Sequence, residues 1–211
     1  MPISRNFPFP LLLDHLPQVF SNQTPRALRR FSRNPAPAWR LAEEAVYWFF
    51  RYHMSLSTIR FGANTLFRHE PEGLISGIGP ARNRAMIYEC KCRREAYRMT
   101  HDDLLRYGDY VVEKREQVRS MHLTLTNFLI IAPGFRGSYQ SKLAELSTQG
   151  VSASGITGDF LMHLYHEVED WKLERIQLLD LNRLLVPGLV GLNRARQELR
   201  RVNQQYRGII G

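Results

Sequence analysis

The sequence predicts an α/β fold, a mixed β-sheet flanked by helices. Three observations carry this. The apolar run Leu123 to Pro133 follows a helical pattern and ends at Pro133-Gly134, which fits a buried central strand. Leu74 to Gly79 and Arg84 to Cys92 are short segments suited to a half-buried pleat, joined by the turn Gly79-Pro80-Ala81-Arg82-Asn83. On either side, apolar residues recur at helical spacing.

The elements follow in order. Residues 1–37 carry prolines at 2, 8, 10, 17, 25, 35 and 37, which break any long helix, so an irregular N-terminal arm is expected. Arg26, Arg29, Arg30 and Arg33 make it basic, with at most a short helix over Pro25 to Phe31. Such an arm either lies along a phosphate backbone or is a solvated lead-in. Trp39 to His53 is a helix with Leu41, Ala45, Trp48, Phe49 and Tyr52 on its core face and Glu43 and Glu44 in its early turns. Thr100 to Arg115 is the next helix, with Thr100 as N-cap and Asp103 completing a capping box. Ser138 caps another, and Val151 to Ile156 is a strand. Gly158 starts a long helix through Leu161, Leu164, Tyr165, Val168 and Trp171 to Ile176 and Leu179. Beyond Pro187-Gly188, Leu189 to Tyr206 reads as a final basic helix with Arg194, Arg196, Arg200, Arg201 and Arg207 nearby and one acid, Glu198. The organisation expected is a basic arm (1–37), a central domain (38–170) and a basic helical C-terminal extension (171–211).

The chain has 211 residues, 44% of them apolar, enough for one sizeable domain with a packed core. No apolar run is long enough to span a bilayer, and no signal-peptide pattern opens the chain. Cys90 and Cys92 lie two apart in a strand, poorly placed to bridge each other, so reduced thiols and a cytoplasmic setting are expected. The net charge of +9 and pI near 9.9 favour a polyanionic partner: DNA, RNA or an acidic membrane surface. His163 and His166 lack a second pair of ligands for zinc. The sequence has no Gly-rich P-loop and no serine nucleophile elbow.

The chemistry concentrates between Pro71 and Lys91. Strand side chains alternate, so Ile87, Glu89 and Lys91 share one face and Tyr88, Cys90 and Cys92 the other. If the two segments pair as a hairpin, Glu72, Glu89 and Lys91 converge. Two carboxylates and an ammonium suit a hard divalent cation and a hydrolytic water. Arg82, Arg84, Arg93, Arg94 and Arg98 flank this acidic centre in sequence, where phosphate contact is the better reading of their charge than a solvated rim.

Pro71-Glu72-Gly73 followed by Glu89-Cys90-Lys91 resembles the PD-(D/E)-x-K nuclease motif, and the surrounding blocks resemble the FokI-like cleavage domain of type IIS restriction endonucleases. Those blocks are the early acid Glu43 with Phe49-Phe50, then Phe61-Gly62-Ala63, His101 to Tyr107, and Phe135-Arg136-Gly137-Ser138-Tyr139. They run in order from about Arg40 to Val168. The resemblance implies a restriction-endonuclease-like fold and a metal-dependent DNA endonuclease leaving 5′-phosphate and 3′-hydroxyl ends. It implies Glu72, Glu89 and the Cys90 carbonyl as ligands of Mg²⁺, with Mn²⁺ able to substitute, Glu43 as a supporting acid, and Lys91 orienting or activating the water. Asp102 and Arg106 match a pair that bridges two copies of this helix, which implies a homodimer through residues 100–115. Read alone, they are an ordinary i, i+4 pair. Arg136 and Lys142 are phosphate-contact candidates, with ordinary surface charge an equal reading. The chain departs from the family pattern with Glu72 in place of Asp and Cys90 in the middle of the E-x-K. Its flanks also lack a large recognition domain, so specificity is absent, left to a separate partner chain, or carried by the basic termini. The alternatives are a non-catalytic nucleic-acid-binding or assembly subunit with the same fold, and a related nuclease acting on branched DNA or RNA.

Overall fold

In the computed structural model, which describes residues 9–30, 36–61, 70–78 and 82–210, the apolar run becomes a strand with two others on its far side. The strands are Ser57–Arg60 (β1), Gly73–Ile78 (β2), Arg84–Cys90 (β3), Thr124–Ala132 (β4), Ser152–Thr157 (β5) and Gly188–Leu189 (β6). They form one sheet in that order. β1, β2 and β3 pair antiparallel, and β3, β4, β5 and β6 pair parallel, which makes the sheet mixed as expected.

Alternation along β3 and β4 feeds two cores, because successive side chains leave opposite faces. Ile87, Phe128 and Ile130 pack under the helices His101–Ser120 (α4) and Tyr139–Ser147 (α5). Met86, Tyr88, Leu129 and Ile131 pack under Leu16–Phe20 (α2), Ala38–Trp48 (α3) and Gly158–Val168 (α6). The Thr100 hydroxyl accepts from Asp103 N at 3.0 Å and Asp103 Oδ2 accepts from Thr100 N at 3.0 Å, so the expected capping box starts α4.

Several expectations change. The N-terminal segment is helical over its described residues, with Phe9–Leu13 (α1), α2 and a 3₁₀ turn at Arg26–Arg30. Pro10 and Pro17 sit in first turns, where a missing N–H costs nothing. Leu12, Leu13, Leu16, Val19 and Phe20 are fully buried in the same core as α3, so this segment is part of the packed body. α3 ends in a π-helical turn, Phe49–His53, that leaves Tyr52 on the surface, 62% exposed, instead of in the core. The helix from Gly158 stops at Val168; Leu173–Ile176 (α7) and Leu181–Leu184 (α8) are short and separate. The final helix is Leu192–Ile210 (α9), starting three residues later than expected because Gly188 and Leu189 pair with β5. The turn at 79–81, Gly62-Ala63, Arg33 and the prolines at 2, 8 and 35 lie outside the described residues.

Candidate active site

The acids meet where three strands close. Gly73 stands opposite Tyr88 on β3 and Arg60 on β1. One residue further out, the same register sets Glu72 across from Glu89. A β-carbon at position 73 would lie 2.6 Å from the Ile59 carbonyl oxygen and 2.6 Å from the Tyr88 ring, so only glycine lets the strands approach here. Lys91 N donates to the Ile131 carbonyl at 2.8 Å, which carries the β3–β4 ladder past Cys90. Alternation therefore keeps Lys91 on the side of Glu89, and Lys91 Nζ lies 2.6 Å from Glu89 Oε1.

α3 brings a third acid to this edge. Glu72, in its protonated form, donates a hydrogen bond to Glu43. Burial is the first cause raising both carboxyls; the charges of Glu43 and Glu89 add to it at Glu72, and those of Glu44 and Glu89 at Glu43, where the hydrogen bond from Glu72 opposes it. Glu43 is raised from 4.5 to about 7 and Glu72 from 4.5 to about 8. The Arg60 guanidinium also opposes this rise at Glu43, with Nη2 at 3.9 Å from Glu43 Oε2, while its Nη1 sits 2.6 Å from Glu44 Oε1. Arg60 also lies over the Tyr47 ring at 5.4 Å. Neither β1 nor this arginine is anticipated by the E-x-K pattern, although Ser57-Thr58-Ile59 carries a β-branched pair that favours a strand.

On the opposite side, the Tyr97 and Tyr107 hydroxyls share a hydrogen bond of 2.9 Å. Lys91 Nζ stands 6.0 and 5.6 Å from the two ring centroids. Burial pushes both phenols well above their usual range, so they remain neutral hydrogen-bonding groups. These two tyrosines, outside the motif itself, form the wall that holds the lysine.

The Cys90 side chain is buried in the other core and burial raises its thiol, so its carbonyl alone is left for a role in the site. Cys92 is likewise pushed up to about 12, chiefly by burial. Both thiols are free.

The donors suit a hard divalent cation. Glu89 Oε2 is buried with no hydrogen-bond partner, and Glu43 and Glu72 share a proton that a cation would replace. Among the described residues, no three acidic, His or Cys side chains close on one point. Like charges explain the arrangement: two carboxyls share a proton and the third pairs with Lys91.

Linkage gives this arrangement a measurable sign. Carboxyls raised in the folded state bind protons more tightly there than in the unfolded chain. The stability they contribute is complete below about pH 4.5 and is lost as pH rises through about 7 to 8. In EDTA, the Tm of the chain is expected to be several degrees lower at pH 8 than at pH 5.5. Mg²⁺ or Mn²⁺ at pH 8 is expected to recover much of that loss. A Glu43→Gln chain with an undiminished pH difference would show that this pair is not its source.

The basic candidates divide. Arg84 opens β3, five residues from Glu89, or about 16 Å along a strand. Arg82 and Arg84 therefore lie at the opposite end of the strand from the acids, and do not flank them. Arg93, Arg94 and Arg98 are exposed beyond the site end of β3, and Arg93 lies 5.5 Å over the Tyr97 ring. Arg136 pairs with Glu95 at 2.8 Å on the surface, and Lys142 Nζ donates to the Met99 carbonyl. Arg106 pairs with Asp103 at 2.6 Å, not with Asp102, because the i, i+3 carboxyl is held toward it by the cap. Asp102 is exposed. His166 faces Asp14 at 3.4 Å on the surface, and the half-buried His163 faces Glu167 at 3.7 Å.

The model of the FokI cleavage domain family matches residues 23–184, more than half of the chain. Among solved structures, the restriction endonuclease FokI matches with a TM-score of 0.56 and 17% identity, covering 73% of this chain and 28% of that one. The structure of FokI bound to DNA matches with a TM-score of 0.59 and 16% identity, covering 85% of this chain and 30% of that one. These likenesses show the fold, and the chain spans less than a third of the length of the FokI chains it matches. Among curated proteins, none matches the sequence significantly. Among the described residues, no helix is long and apolar enough to cross a membrane.

Proposed function

This chain belongs to the FokI cleavage-domain family, and from that premise and the site geometry we propose that it is a divalent-metal-dependent endonuclease of double-stranded DNA. Membership implies a nuclease of the restriction-endonuclease type. The observation that carries the finer reading is two neighbouring pairs at one end of β3, Glu72 with Glu43 and Glu89 with Lys91. Glu72, Glu89 and the Cys90 carbonyl would hold Mg²⁺ or Mn²⁺, with Glu43 in support and Arg60 fixing the helix that carries it. When bound, the cation supplies Lewis-acid polarisation of the scissile phosphate and neutralises its charge. Lys91, held by Glu89 and the tyrosine wall, would orient the attacking water by donating a hydrogen bond from its ammonium to the water oxygen. Arg93 and Arg94, and Arg136 and Lys142 on release from Glu95 and the Met99 carbonyl, would contact backbone phosphates and fix position without reading sequence. Supercoiled plasmid in Mg²⁺ is the test: cutting that EDTA abolishes supports the reading, and a folded chain that never cuts in Mg²⁺ or Mn²⁺ points to a non-catalytic subunit.

The proposal includes a homodimer, since one site cuts one strand and two related sites cut both. α4 presents Leu105 and Val112, 58% and 56% exposed and two turns apart on one face. A second copy would cover them and set Asp102 near its own Arg106. Leu105→Asp with Val112→Asp is expected to turn concentration-dependent linearisation into slow nicking. Linearisation at the wild-type rate would place the dimer surface elsewhere.

A further inference from the structure

The last helix lies beyond residue 184, where the family match ends, and its exposed charge is all of one sign. α9 turns Ala195, Glu198, Leu199 and Val202 inward. Its one acid, Glu198, is 5% exposed and is held by Arg201 and by the Asp180 backbone N–H. At 3.6 residues per turn, Asn193, Arg196, Gln197, Arg200, Gln204 and Arg207 fall within roughly 100° of one another on the opposite side. All six are exposed. Two flanking arginines are engaged within the chain: Arg194 donates to the Arg183 carbonyl at 2.9 Å, and Arg201 to the Leu178 carbonyl at 2.7 Å. Among the described residues, Arg196, Arg200 and Arg207 have no such partner.

A merely solvated helix face mixes both signs, since i, i+4 Glu–Lys pairs stabilise it. This one holds only arginine, asparagine and glutamine, with no carboxylate and no lysine. Those side chains bond phosphates and the edges of guanine and adenine. A helix of about 10–12 Å diameter fits the major groove of B-form DNA, about 12 Å wide, whereas the A-form groove is too narrow. The three free arginines span about 16 Å of helix axis. α9 packs on α6, α6 on α2, and α2 on α3, so the stripe stands apart from Glu43 and is no part of the metal site.

We propose that α9 is a second DNA contact of this chain, laying its Arg/Asn/Gln stripe on duplex DNA away from the catalytic edge. The inference rests on the reading of the chain as a DNA endonuclease for its choice of partner. It gives the chain a DNA-binding surface separate from the site that carries the acids.

The test is fluorescence anisotropy of a labelled duplex with the full chain in EDTA, over a series of salt concentrations. Each lost phosphate contact lowers the slope of log K against log salt by about 0.9. Arg196→Gln/Arg200→Gln/Arg207→Gln is expected to lower it by about 2 to 3 and to weaken binding at 0.1 M salt by roughly 10²-fold. The corresponding triple lysine variant, which keeps the charge, is expected to retain most of the slope. An unchanged slope in the folded glutamine variant overturns the inference and leaves the nuclease reading standing. Stripe-dependent DNA binding by a chain that never cleaves supports the inference while the nuclease reading fails. A wild-type chain that binds phosphatidylserine vesicles and ignores duplex overturns both.

Discussion

Lys91→Ala is expected to lower the rate of DNA cleavage by about 10²–10⁴-fold, the range for losing a positioned proton-transfer group. Lys91 lies 2.6 Å from Glu89 and faces two neutral phenol rings, so its position is set before any substrate arrives. Removing it deprives Glu89 of its ion-pair partner, and Glu89 Oε2 already has no hydrogen bond. Breaking a buried pair from one side costs about 3–5 kcal/mol at the extreme. A lower Tm in EDTA is therefore expected alongside the lost activity. Added Mg²⁺ is expected to restore part of the Tm but none of the rate, which separates a missing catalytic group from a missing fold. Wild-type cleavage by the folded variant would remove Lys91 from the mechanism.

Gly73→Ala is expected to be the most damaging added methyl among the described glycines. Its β-carbon would meet a backbone carbonyl and a buried ring, both at 2.6 Å, and neither can turn aside. Overpacking of this kind costs about 1–3 kcal/mol and sometimes more. In a chain of this size each kcal/mol lowers the Tm by about 2–4 °C. The strain falls between β1 and β3, so the relative position of Glu72 and Glu89 is expected to suffer with it and cleavage to fall further than the Tm alone explains. Gly108→Ala is the contrast: no atom lies within 4 Å of its β-carbon, and helix propensity is expected to add up to about 1 kcal/mol of stability. Thermal melts of the two variants side by side check both, and equal melting temperatures would remove the close approach at Gly73 as a constraint.

The hairpin of β2 and β3 was legible because its signals are local. Alternation in Arg84 to Cys92 and the apolar run of β4 are patterns within one strand; β4 is buried as its run requires, while β3, expected half-buried, is covered on both faces because helices pack on each side of the sheet. The capping box of α4 is likewise complete within four residues. What was illegible depends on packing between distant segments. Prolines marked residues 1–37 as irregular, yet Pro10 and Pro17 occupy first helical turns and the leucines beside them fill the core. The hydrogen bond between Glu72 and Glu43, the grip of Arg60 on Glu44, and the tyrosine pair beside Lys91 all join different elements, and no pattern within one element announces them. Arg82 and Arg84, expected to flank the acids, stand away from them for a simple geometric reason: five residues of extended chain carry a side chain to the other end of the strand.

The central claim is that the acids at the end of β3 hold a divalent cation. Crystals soaked in Mn²⁺ and measured at its absorption edge test it directly. The expected result is an anomalous peak within about 2.0–2.6 Å of carboxylate oxygens of Glu72 and Glu89. Its loss in Glu89→Gln crystals of unchanged fold is also expected. A well-ordered site with no peak at saturating Mn²⁺, or a peak only elsewhere on the chain, would contradict the claim.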